Sequence, residues 1–343
     1  MPNEDIYDVA IVGGGPAGLS AAIWLGRYLR RVVLVDSGDP RNWETRGVNG
    51  FLGMPRARPA ELRKAGRDEA RRYDVTLLDA LALSAERKSD DRFVLQLDPC
   101  VPRADLPDAD LRADVPAFVV AKRLLLAIGI KDRWPGIPGL AKSYGRCVHV
   151  CPDCDGYEAR DRRTVVLGTG VRATTIALAL TTWTRDIVVC TNGEPPNLTP
   201  EMDAKLKGCN IPVLTARVLA ARSDDAGQLR ELMLEGGMSL DCEKLFFSVG
   251  QRPPHPAIDA APPDPDDEPD EDLGDQLGCE REGARGSIII DDHHHTSVRN
   301  VFAAGDICSG AQIAIRAAAG GAVAAMSIHK SLVPPSRKLV ERA

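Results

Sequence analysis

A short apolar run that ends directly in a glycine-rich turn occurs twice in this chain, and this repeat limits the possible folds more than any other feature. The first run, Tyr7–Val12, is too short for a helix and predicts a buried parallel strand. Leu19–Tyr28 then carries apolar residues suited to a helix that packs on a sheet. The loop between them has three glycines at G-x-G-x-x-G spacing and consists of Gly13, Gly15, Pro16, Ala17 and Gly18. Such a loop lets the free amides of the helix N-terminus bind a pyrophosphate.

A second predicted strand follows this helix and ends in an acid. Residues 31–35 form its apolar run, and Asp36 comes eighteen residues after Gly18. At that position a carboxylate can bond the ribose hydroxyls of an adenine nucleotide. The order of strand, glycine loop, helix, strand and acid predicts a dinucleotide-binding unit, although it does not say which dinucleotide binds.

The same arrangement begins again at residue 164. Residues 164–167 predict a strand, residues 174–182 a helix and Ile187–Cys190 a further strand. The loop after the first of these strands has G-x-G-x-x-A spacing, formed by Gly168, Gly170 and Ala173. Residues 191–196 contain neither an acid for the ribose of NAD nor an arginine cluster for the 2′-phosphate of NADP. The sequence therefore leaves two alternatives: a site for NADH or weakly bound NADPH, or a nucleotide-shaped unit that binds no nucleotide.

A candidate redox centre precedes the second unit. Cys151 and Cys154 are separated by two residues, so they can close a small disulfide, and such a motif usually lowers the pKa of one thiol. Asp155 follows directly and could exchange a proton with a leaving thiolate. Cys147 and His149 lie just upstream and offer a zinc alternative, but the four residues are crowded into one segment, which favours redox chemistry. His149 is either an assistant in proton transfer or a packed histidine.

The rest of the chain predicts further elements of an α/β protein. Residues 92–97 and 117–121 are interpreted as paired strands, with 98–116 as a long loop, and 123–129 as another buried strand. The remaining predictions are a helix over 59–73, strands within 209–249, a strand at 286–291, a short strand within 300–306 and a helix over 311–330. Residues 257–285 are rich in proline and acidic side chains and predict a disordered insertion.

Composition and charge exclude several classes of protein. The formal charge of the 343 residues is −6, but eight acids lie between residues 264 and 275, and without them the charge would be +2. A nearly neutral body with 4% aromatic residues does not predict nucleic-acid binding. No apolar run is long enough to span a bilayer, and the N-terminus lacks the pattern of a signal peptide, so we expect a cytoplasmic protein without a membrane partner. Nine scattered cysteines fit reduced thiols better than a secreted disulfide framework.

Together these motifs resemble one family, the low-molecular-weight thioredoxin reductases and related flavoprotein disulfide oxidoreductases. The resemblance spans nearly the whole chain. It rests on the first glycine loop with Asp36, on Cys151, Cys154 and Asp155 before the second glycine loop, and on residues 301–306 leading into 311–314. The family's usual histidine and arginine-rich NADPH signature is absent after the second unit's Ile187–Cys190 strand.

The resemblance implies an α/β homodimer whose subunit has two Rossmann-like domains of the three-layer ββα type. The discontinuous FAD domain would comprise residues 1–131 and 251–343, and the central NAD(P)-binding-like domain residues 132–250. The FAD site implied by the resemblance consists of Gly13, Gly15, Pro16, Ala17, Gly18, Asp36, Gly129, Gly305, Asp306, Gln312 and Ile313. Gly168, Gly170 and Ala173 would hold NADPH or NADH, if either binds.

The resemblance also implies roles for the redox motif. Cys154 would be the thiol next to the flavin, Cys151 the thiol that reacts with an external disulfide, and Asp155 the proton donor. Three functions follow as hypotheses. The first is a thioredoxin-reductase-like enzyme that acts on a thioredoxin-like protein or a small dithiol. The second is a dithiol oxidase that passes electrons from the flavin to oxygen. The third is a flavin-binding redox sensor without turnover.

Overall fold

The computed structural model describes residues 6–41, 45–99, 115–247, 250–252, 271–283 and 286–338. Its residues group into two compact units. The first unit comprises Met1–Trp43, Pro59–Lys131 and Arg252–Ala343, and the second comprises Glu44–Arg58 and Asp132–Gln251. The chain therefore passes from the first unit to the second and back twice.

The elements are numbered in chain order. The first stretch contains β1 (Ile6–Val12), α1 (Pro16–Arg27), β2 (Val32–Asp36), α2 (Pro59–Arg71), β3 (Thr76–Arg87), β4 (Phe93–Pro99) and β5 (Phe118–Leu126). The middle stretch contains β6 (Lys131–Asp132), β7 (Val148–His149), α3 (Pro152–Asp155), β8 (Thr164–Leu167), α4 (Gly170–Leu180), β9 (Ile187–Cys190), α5 (Pro200–Gly208), β10 (Val213–Leu214), β11 (Val218–Ser223), β12 (Leu229–Leu234), β13 (Ser239–Asp241), β14 (Lys244–Phe247) and β15 (Gln251–Arg252). The last stretch contains α6 (Leu273–Gln276), β16 (Val301–Ala303) and α7 (Ala314–Ser331).

The first unit is built on a parallel sheet in the order β3-β2-β1-β5-β16. Its central strands are apolar and buried on both faces, as parallel strands between layers require. The long strand β3 continues past the parallel sheet and pairs antiparallel with β4, which in turn pairs antiparallel with the start of β5. One side of the parallel sheet thus faces this antiparallel layer and the other faces helices, which gives three layers.

Helices α1 and α7 pack against each other very closely. A Cβ atom added to Gly321 would lie 2.0 Å from the carbonyl oxygen of Ala17, so only glycine permits this approach. Ala21, Ala324 and Ala325 are buried in the same core. Small residues in both helices thereby bring the C-terminal helix onto the helix that follows the first glycine loop.

The second unit has its own five-stranded parallel sheet in the order β10-β9-β8-β14-β7. A separate antiparallel sheet, β11-β12-β13, belongs to the same unit. Residues 224–227 form the turn between β11 and β12, where the Gly227 amide donates to the Asp224 carbonyl. Two apolar cores, centred on Leu245 and Phe246, flank β14.

The structure corrects the predicted strands at 117–121 and 123–129. Residues 118–126 form one strand, because β1 pairs with most of its length while β4 and β16 pair with its two halves. The charged residues at its middle do not interrupt it: Lys122 reaches out to Asp8, with 2.8 Å between Nζ and Oδ1. Gly129 lies beyond the end of the strand.

The prediction of disorder over 257–285 is wrong for residues 271–283. Asp272 accepts hydrogen bonds from the amides of Gly274 and Asp275 and begins α6. Arg281 forms ion pairs with both acids, so their charges are neutralised, and Leu273 is buried in the core of the first unit. Residues 257–270 and 284–285 lie outside the described part of the chain, as does most of the predicted loop at 98–116.

Two further differences concern element type. The predicted strand at 286–291 is wrong: Ile288 forms only isolated bridges, to Arg281 and to Cys308. Strand β3 and helix α5 were not expected from the sequence. For α5 a signal exists, because Thr199 accepts a hydrogen bond from the Met202 amide as a helix cap and Pro200 follows it. Among the described residues, no helix is both long and apolar enough to cross a membrane.

Candidate active site and cofactor-binding loops

In the first glycine loop, Gly15 has space for a side chain, whereas Gly13 and Gly18 on either side of it have none. A Cβ atom on Gly13 would lie 2.2 Å from the Ala127 carbonyl oxygen, and one on Gly18 would lie 1.9 Å from the Gly13 carbonyl oxygen. A Cβ atom on Gly15 would meet nothing within 4 Å. Gly13 and Gly18 are therefore required by packing, whereas Gly15 leaves space beside the N-terminus of α1.

The start of α1 can accept an anion. No side chain caps it, and its first turn contains no acid. Pro16 occupies the first turn, where its missing amide costs nothing. Ala17 is buried, and Gly305, with a φ of +85°, has its Cβ position 3.0 Å from the Ala17 Cβ. Space at Gly15 and uncapped amides are what the pyrophosphate of a dinucleotide needs.

Asp36 lies at the end of β2, as the sequence predicts, and is held there by charge. It is buried, its Oδ2 accepts two hydrogen bonds from Arg63 at 2.6 and 3.0 Å, and its Oδ1 accepts one from the Gly38 amide at 3.2 Å. On the neighbouring strand β3, Asp79 lies directly opposite Asp36, and Arg67 contacts it at 2.9 Å. Oδ1 of Asp36 keeps capacity for a ribose hydroxyl.

Sequence reasoning missed Arg41, which joins two of the predicted cofactor residues. Its Nη1 lies 3.1 Å from Asp306 Oδ2 and 3.0 Å from Gln312 Oε1. Ile313 follows Gln312 and caps α7, and its side chain is partly exposed. Asp306 and Gln312 thus share Arg41 as a hydrogen-bond donor.

FAD fits the features of the first unit. The loop is closed to a side chain at Gly13 and Gly18 but open at Gly15, and the acid at β2 retains an acceptor. The residues that would hold the cofactor are those of the glycine loop with Asp36, Arg41, Asp306 and Gln312. Gly129, with a φ of +67° and no atom within 4 Å of its Cβ position, also borders open space.

The second glycine loop differs at the corresponding position. Gly170 occupies the place in its loop that Gly15 occupies in the first, but its amide donates to the Pro196 carbonyl at 2.9 Å. Its Cβ position lies 3.6 Å from the carbonyl oxygen of Asn197. The segment after β9 therefore covers the loop and uses one of the amides that would otherwise face a phosphate.

The tip of β9 is also committed to internal hydrogen bonds. Thr191 is buried, and its hydroxyl donates to the Glu194 carbonyl at 2.6 Å. The side-chain oxygen of Asn192 accepts from the Val218 amide at 2.7 Å. Ala173 is buried in the helix packing. The residues at the predicted ribose position thus stabilise the fold of the second unit.

The redox motif forms a short helix with both sulfurs on one side. Cys151 caps α3, and its sulfur accepts a hydrogen bond from the Cys154 amide at 3.3 Å. The two Sγ atoms are 2.7 Å apart, which is closer than nonbonded contact and longer than a disulfide bond. Both cysteines are partly buried. Only a small movement is needed to close the bond.

The two thiols differ in acidity. The hydrogen bond from Cys154 holds the pKa of the Cys151 thiol below its ordinary value, and the amide of Cys154 adds to this effect. The same contact raises the pKa of Cys154, because a thiolate there would face the Cys151 sulfur, and burial raises it further. Cys151 is therefore the more acidic thiol of the pair.

Neighbouring residues fix the position of the motif. Asn49 donates from Nδ2 to the Cys154 carbonyl at 3.0 Å, a contact that sequence reasoning missed. A Cβ atom on Gly156 would lie 2.4 Å from the ring of Trp183, so this ring packs directly on the backbone after Asp155. Asp155 itself is mostly buried, and its Oδ2 lies 3.4 Å from Nδ1 of His149.

The zinc alternative is not supported by the positions of its residues. Cys147 is buried in the core, and its thiol donates to the side chain of Gln228 at 3.0 Å. Within the described ranges, no three histidine, cysteine or acidic residues are grouped to hold a metal ion. His149 contacts Asp155 instead of the cysteine sulfurs.

Two glycine-loop α/β units and a helix-capping dithiol define a nucleotide-binding oxidoreductase that acts on dithiols and disulfides. More particularly, this chain belongs to the pyridine nucleotide-disulphide oxidoreductase family, whose profile matches residues 7–321. The predicted family and the predicted fold class, with two Rossmann-like domains, are thereby confirmed. The chain is a flavoprotein disulfide oxidoreductase, as the sequence predicts. Members of the family generally bind FAD and NAD(P)H.

Three similar proteins illustrate the relationship. The solved structure of HlmI superposes with a TM-score of 0.81 and 30% identity, over 97% of this chain and 94% of that chain. Thioredoxin reductase tcpT of Claviceps purpurea is 29% identical over 318 residues, which are 89% of this chain and 88% of that protein. A protein of Arthroderma benhamiae named probable thioredoxin reductase is 30% identical over 194 residues, or 55% of this chain. The match spans 45% of the length of that last relative.

Proposed function

We propose that this chain is an FAD-dependent disulfide oxidoreductase whose Cys151 and Cys154 exchange electrons with a thioredoxin-like protein or a small dithiol, and that pyridine nucleotide is not its main electron donor. The proposal that pyridine nucleotide is not the main donor rests on the difference between the two glycine loops. The first loop is open at Gly15, whereas the amide of Gly170 is bonded to Pro196. Relatives that are named thioredoxin reductases support the substrate class.

The residues of the redox motif have distinct tasks. In the reductive direction, the Cys151 thiolate attacks an external disulfide, forms a mixed disulfide, and displaces one substrate thiolate. Protonated Asp155 gives its proton to that thiolate. The Asp155 carboxylate then takes the proton of the Cys154 thiol. The resulting Cys154 thiolate attacks the Cys151 sulfur, closes the intramolecular disulfide and releases the second substrate thiolate. Bound FAD supplies or accepts the two electrons that complete either direction.

A dithiol oxidase is the second candidate function. In that direction the substrate dithiol reduces the Cys151–Cys154 disulfide, and bound FAD would pass the two electrons to oxygen. The covered second glycine loop favours this direction, because it removes the usual source of electrons while the dithiol motif is kept. The first candidate function is a thioredoxin-reductase-like enzyme whose electron donor is not a pyridine nucleotide.

Reduction of the bound flavin by different donors tests the proposal. The flavin-loaded protein is titrated without oxygen with NADPH, NADH and dithiothreitol, and the visible flavin absorbance is recorded. We expect the dithiol to bleach the flavin through the cysteine pair and the nucleotides to have little effect. Bleaching by stoichiometric NADPH would contradict the proposal that pyridine nucleotide is not the main donor.

Two controls separate the functions. A Cys154→Ser variant should retain flavin but lose reduction by the dithiol, and unchanged reduction would refute the site assignment. Oxygen consumption during turnover with a dithiol would favour the oxidase, whereas turnover only with an added disulfide would favour the reductase. Flavin binding without turnover in either assay would leave the redox sensor. The homodimer and the cytoplasmic location stay predictions.

A further inference from the structure

His149 is a buried histidine that the proposed chemistry does not yet use. It belongs to β7, and its side chain is 4% exposed. Its Nδ1 lies 3.4 Å from Asp155 Oδ2, while its Nε2 is buried and has no hydrogen-bond partner among the described residues. The ring lies beside Phe246, with centroids 5.3 Å apart. One nitrogen therefore faces the acid of the redox motif and the other lies in apolar surroundings.

This placement favours a donor at Nδ1. An N–H at Nε2 would have no acceptor among the described residues, which is costly in a buried site. An N–H at Nδ1 faces the Asp155 carboxylate. At 3.4 Å the two atoms are slightly farther apart than in an ordinary hydrogen bond.

Such a donor stabilises Asp155 because the other ionisable groups of its short helix are an acid and two thiols. The Cys151 sulfur is the acidic thiol of the pair, and Asp153 adds a second carboxylate to the same helix. No hydrogen bond to Asp155 Oδ1 is formed by the described residues. Without a donor at Oδ2, the carboxylate would be free to rotate away from the sulfurs.

We propose that His149 is the positioning residue of the redox motif, and that its Nδ1–H holds Oδ2 of Asp155 so that Oδ1 exchanges a proton with the substrate sulfur. This inference rests on the proposed function. In the reductive direction, the S–S bond of the substrate breaks as the Cys151–substrate S–S bond forms, and the electron pair of the broken bond stays on the leaving sulfur. The proton on Asp155 Oδ1 then moves to that sulfur, and His149 keeps its own proton.

The need for this proton depends on the leaving thiol, which makes the role measurable. An alkyl thiol is weakly acidic, so its thiolate leaves slowly unless a proton is supplied. An aromatic thiol with an acidic S–H leaves readily as the thiolate. A residue that positions the proton donor therefore changes the rate of reaction with an alkyl disulfide and not with an aromatic one. A residue needed only for packing changes both rates alike.

The experiment measures single-turnover reaction of the dithiol-reduced enzyme with two small disulfides, cystamine and 5,5′-dithiobis(2-nitrobenzoate). The variants are His149→Asn, His149→Gln and Asp155→Asn. The amide nitrogen of asparagine reaches the position of Nδ1, whereas that of glutamine reaches the position of Nε2. Asparagine can therefore donate to Asp155 but cannot titrate.

We expect His149→Gln to slow the reaction with cystamine on the order of 10- to 100-fold and to leave the aromatic disulfide nearly unchanged, because a misplaced proton donor loses much of its effect. Asp155→Asn should show the same selectivity and a larger loss. His149→Asn should react with cystamine within about threefold of the unchanged protein, since its amide still holds Oδ2.

Three outcomes would overturn the inference. Equal slowing of both disulfides in His149→Gln would show a packing role, and no slowing of either would show no role. Loss of the cystamine reaction in His149→Asn as well as in His149→Gln would show that the imidazole itself carries the proton. The ratio of the two rates does not depend on how much of a variant is folded. If the unchanged protein reacts with neither disulfide, the proposed function has failed instead.

Discussion

Arg63 and Asp36 form a buried ion pair at the tip of β2, with Arg63 Nη2 2.6 Å from Asp36 Oδ2. Both side chains are at least nine-tenths buried. Arg67 lies 3.7 Å from the same carboxylate oxygen and contacts Asp79, the residue of β3 that pairs with Asp36. Two guanidinium groups of α2 thus balance the paired acids Asp36 of β2 and Asp79 of β3. The acid predicted to hold the ribose is fixed by a helix that lies outside the glycine motif.

Replacement of Arg63 by methionine tests this arrangement. Removing one partner of a buried ion pair leaves Asp36 uncompensated, so we expect a loss of about 3–5 kcal/mol in the free energy of unfolding of the first unit. We also expect weaker binding of FAD, because the carboxylate is no longer held towards the ribose. The measurement compares the Kd of FAD with that of an FAD analogue lacking the adenosine 2′-hydroxyl.

The analogue distinguishes the two effects of this change. If Arg63 acts through the ribose contact of Asp36, Arg63→Met weakens the binding of FAD more than the binding of the deoxy analogue. Arg63→Lys keeps the charge, so its affinity for FAD should lie between those of the unchanged protein and Arg63→Met. Equal weakening of FAD and analogue would contradict the role in cofactor binding and leave only the role in stability.

Gly15 and Gly18 predict opposite responses to alanine. Gly15 has a φ of −76°, which alanine adopts without strain, and its Cβ position meets no atom within 4 Å. Gly15→Ala should therefore fold normally and bind FAD at least about tenfold more weakly, because the backbone can no longer approach the pyrophosphate. Gly18→Ala should lose thermal stability even without cofactor. Thermal unfolding of the cofactor-free proteins and FAD titration check both statements.

The unequal acidity of the two thiols predicts selective alkylation. In the reduced protein, iodoacetamide should modify Cys151 first, since its pKa is held below the ordinary 9.0 while that of Cys154 is raised. Cys154→Ala removes the hydrogen bond from the Cys154 thiol, so the Cys151 pKa should rise and the pH midpoint of its alkylation should move upward. Peptide mass spectrometry across a pH series measures this midpoint. An unchanged midpoint in Cys154→Ala would show that the hydrogen bond does not set the acidity.

Because Trp183 packs on Gly156, we expect substitutions at these two residues to have non-additive effects on stability. Gly156→Ala places a methyl group 2.4 Å from the indole ring, so the redox helix or the ring must move. Overpacking of this kind costs about 1–3 kcal/mol, and it should also slow disulfide exchange. In a Trp183→Phe background, Gly156→Ala should lower the free energy of unfolding by less, because the ring that meets the new methyl group is smaller. Additive effects in chemical denaturation would refute the direct contact.

Most elements with strong local signals could be predicted from the sequence. β1, β2, β8 and β9 are short apolar runs bounded by glycine or acid, and burial on both faces requires that pattern. β3 was missed because its sequence contains several alanines and leucines and an acid, Asp79, which only the arginines of α2 explain. The end of the acidic stretch was mistaken for disorder because Arg281 neutralises it from a position that spacing does not reveal.

The candidate site likewise contains residues that could be predicted from the sequence and residues that could not. Cys151, Cys154 and Asp155 are adjacent in sequence, and their contacts follow from a single turn of helix. Arg41 and Asn49 could not be found, because each reaches its partner from more than a hundred residues away along the chain. The missing cations after β9 were visible in the sequence, but the hydrogen bond between Gly170 and Pro196 depends on how the loop folds back.

The pairing of β16 with residues 124–126 of β5 has a consequence for biosynthesis. The ribosome completes the whole second unit before it makes Val301, so that unit can fold while the first sheet still lacks its last strand and α7. Until then β5 presents a free sheet edge of apolar residues, the type of edge that pairs with other chains. Speed of synthesis between residues 127 and 300, and chaperones that shield this edge, should therefore govern how much of the protein matures.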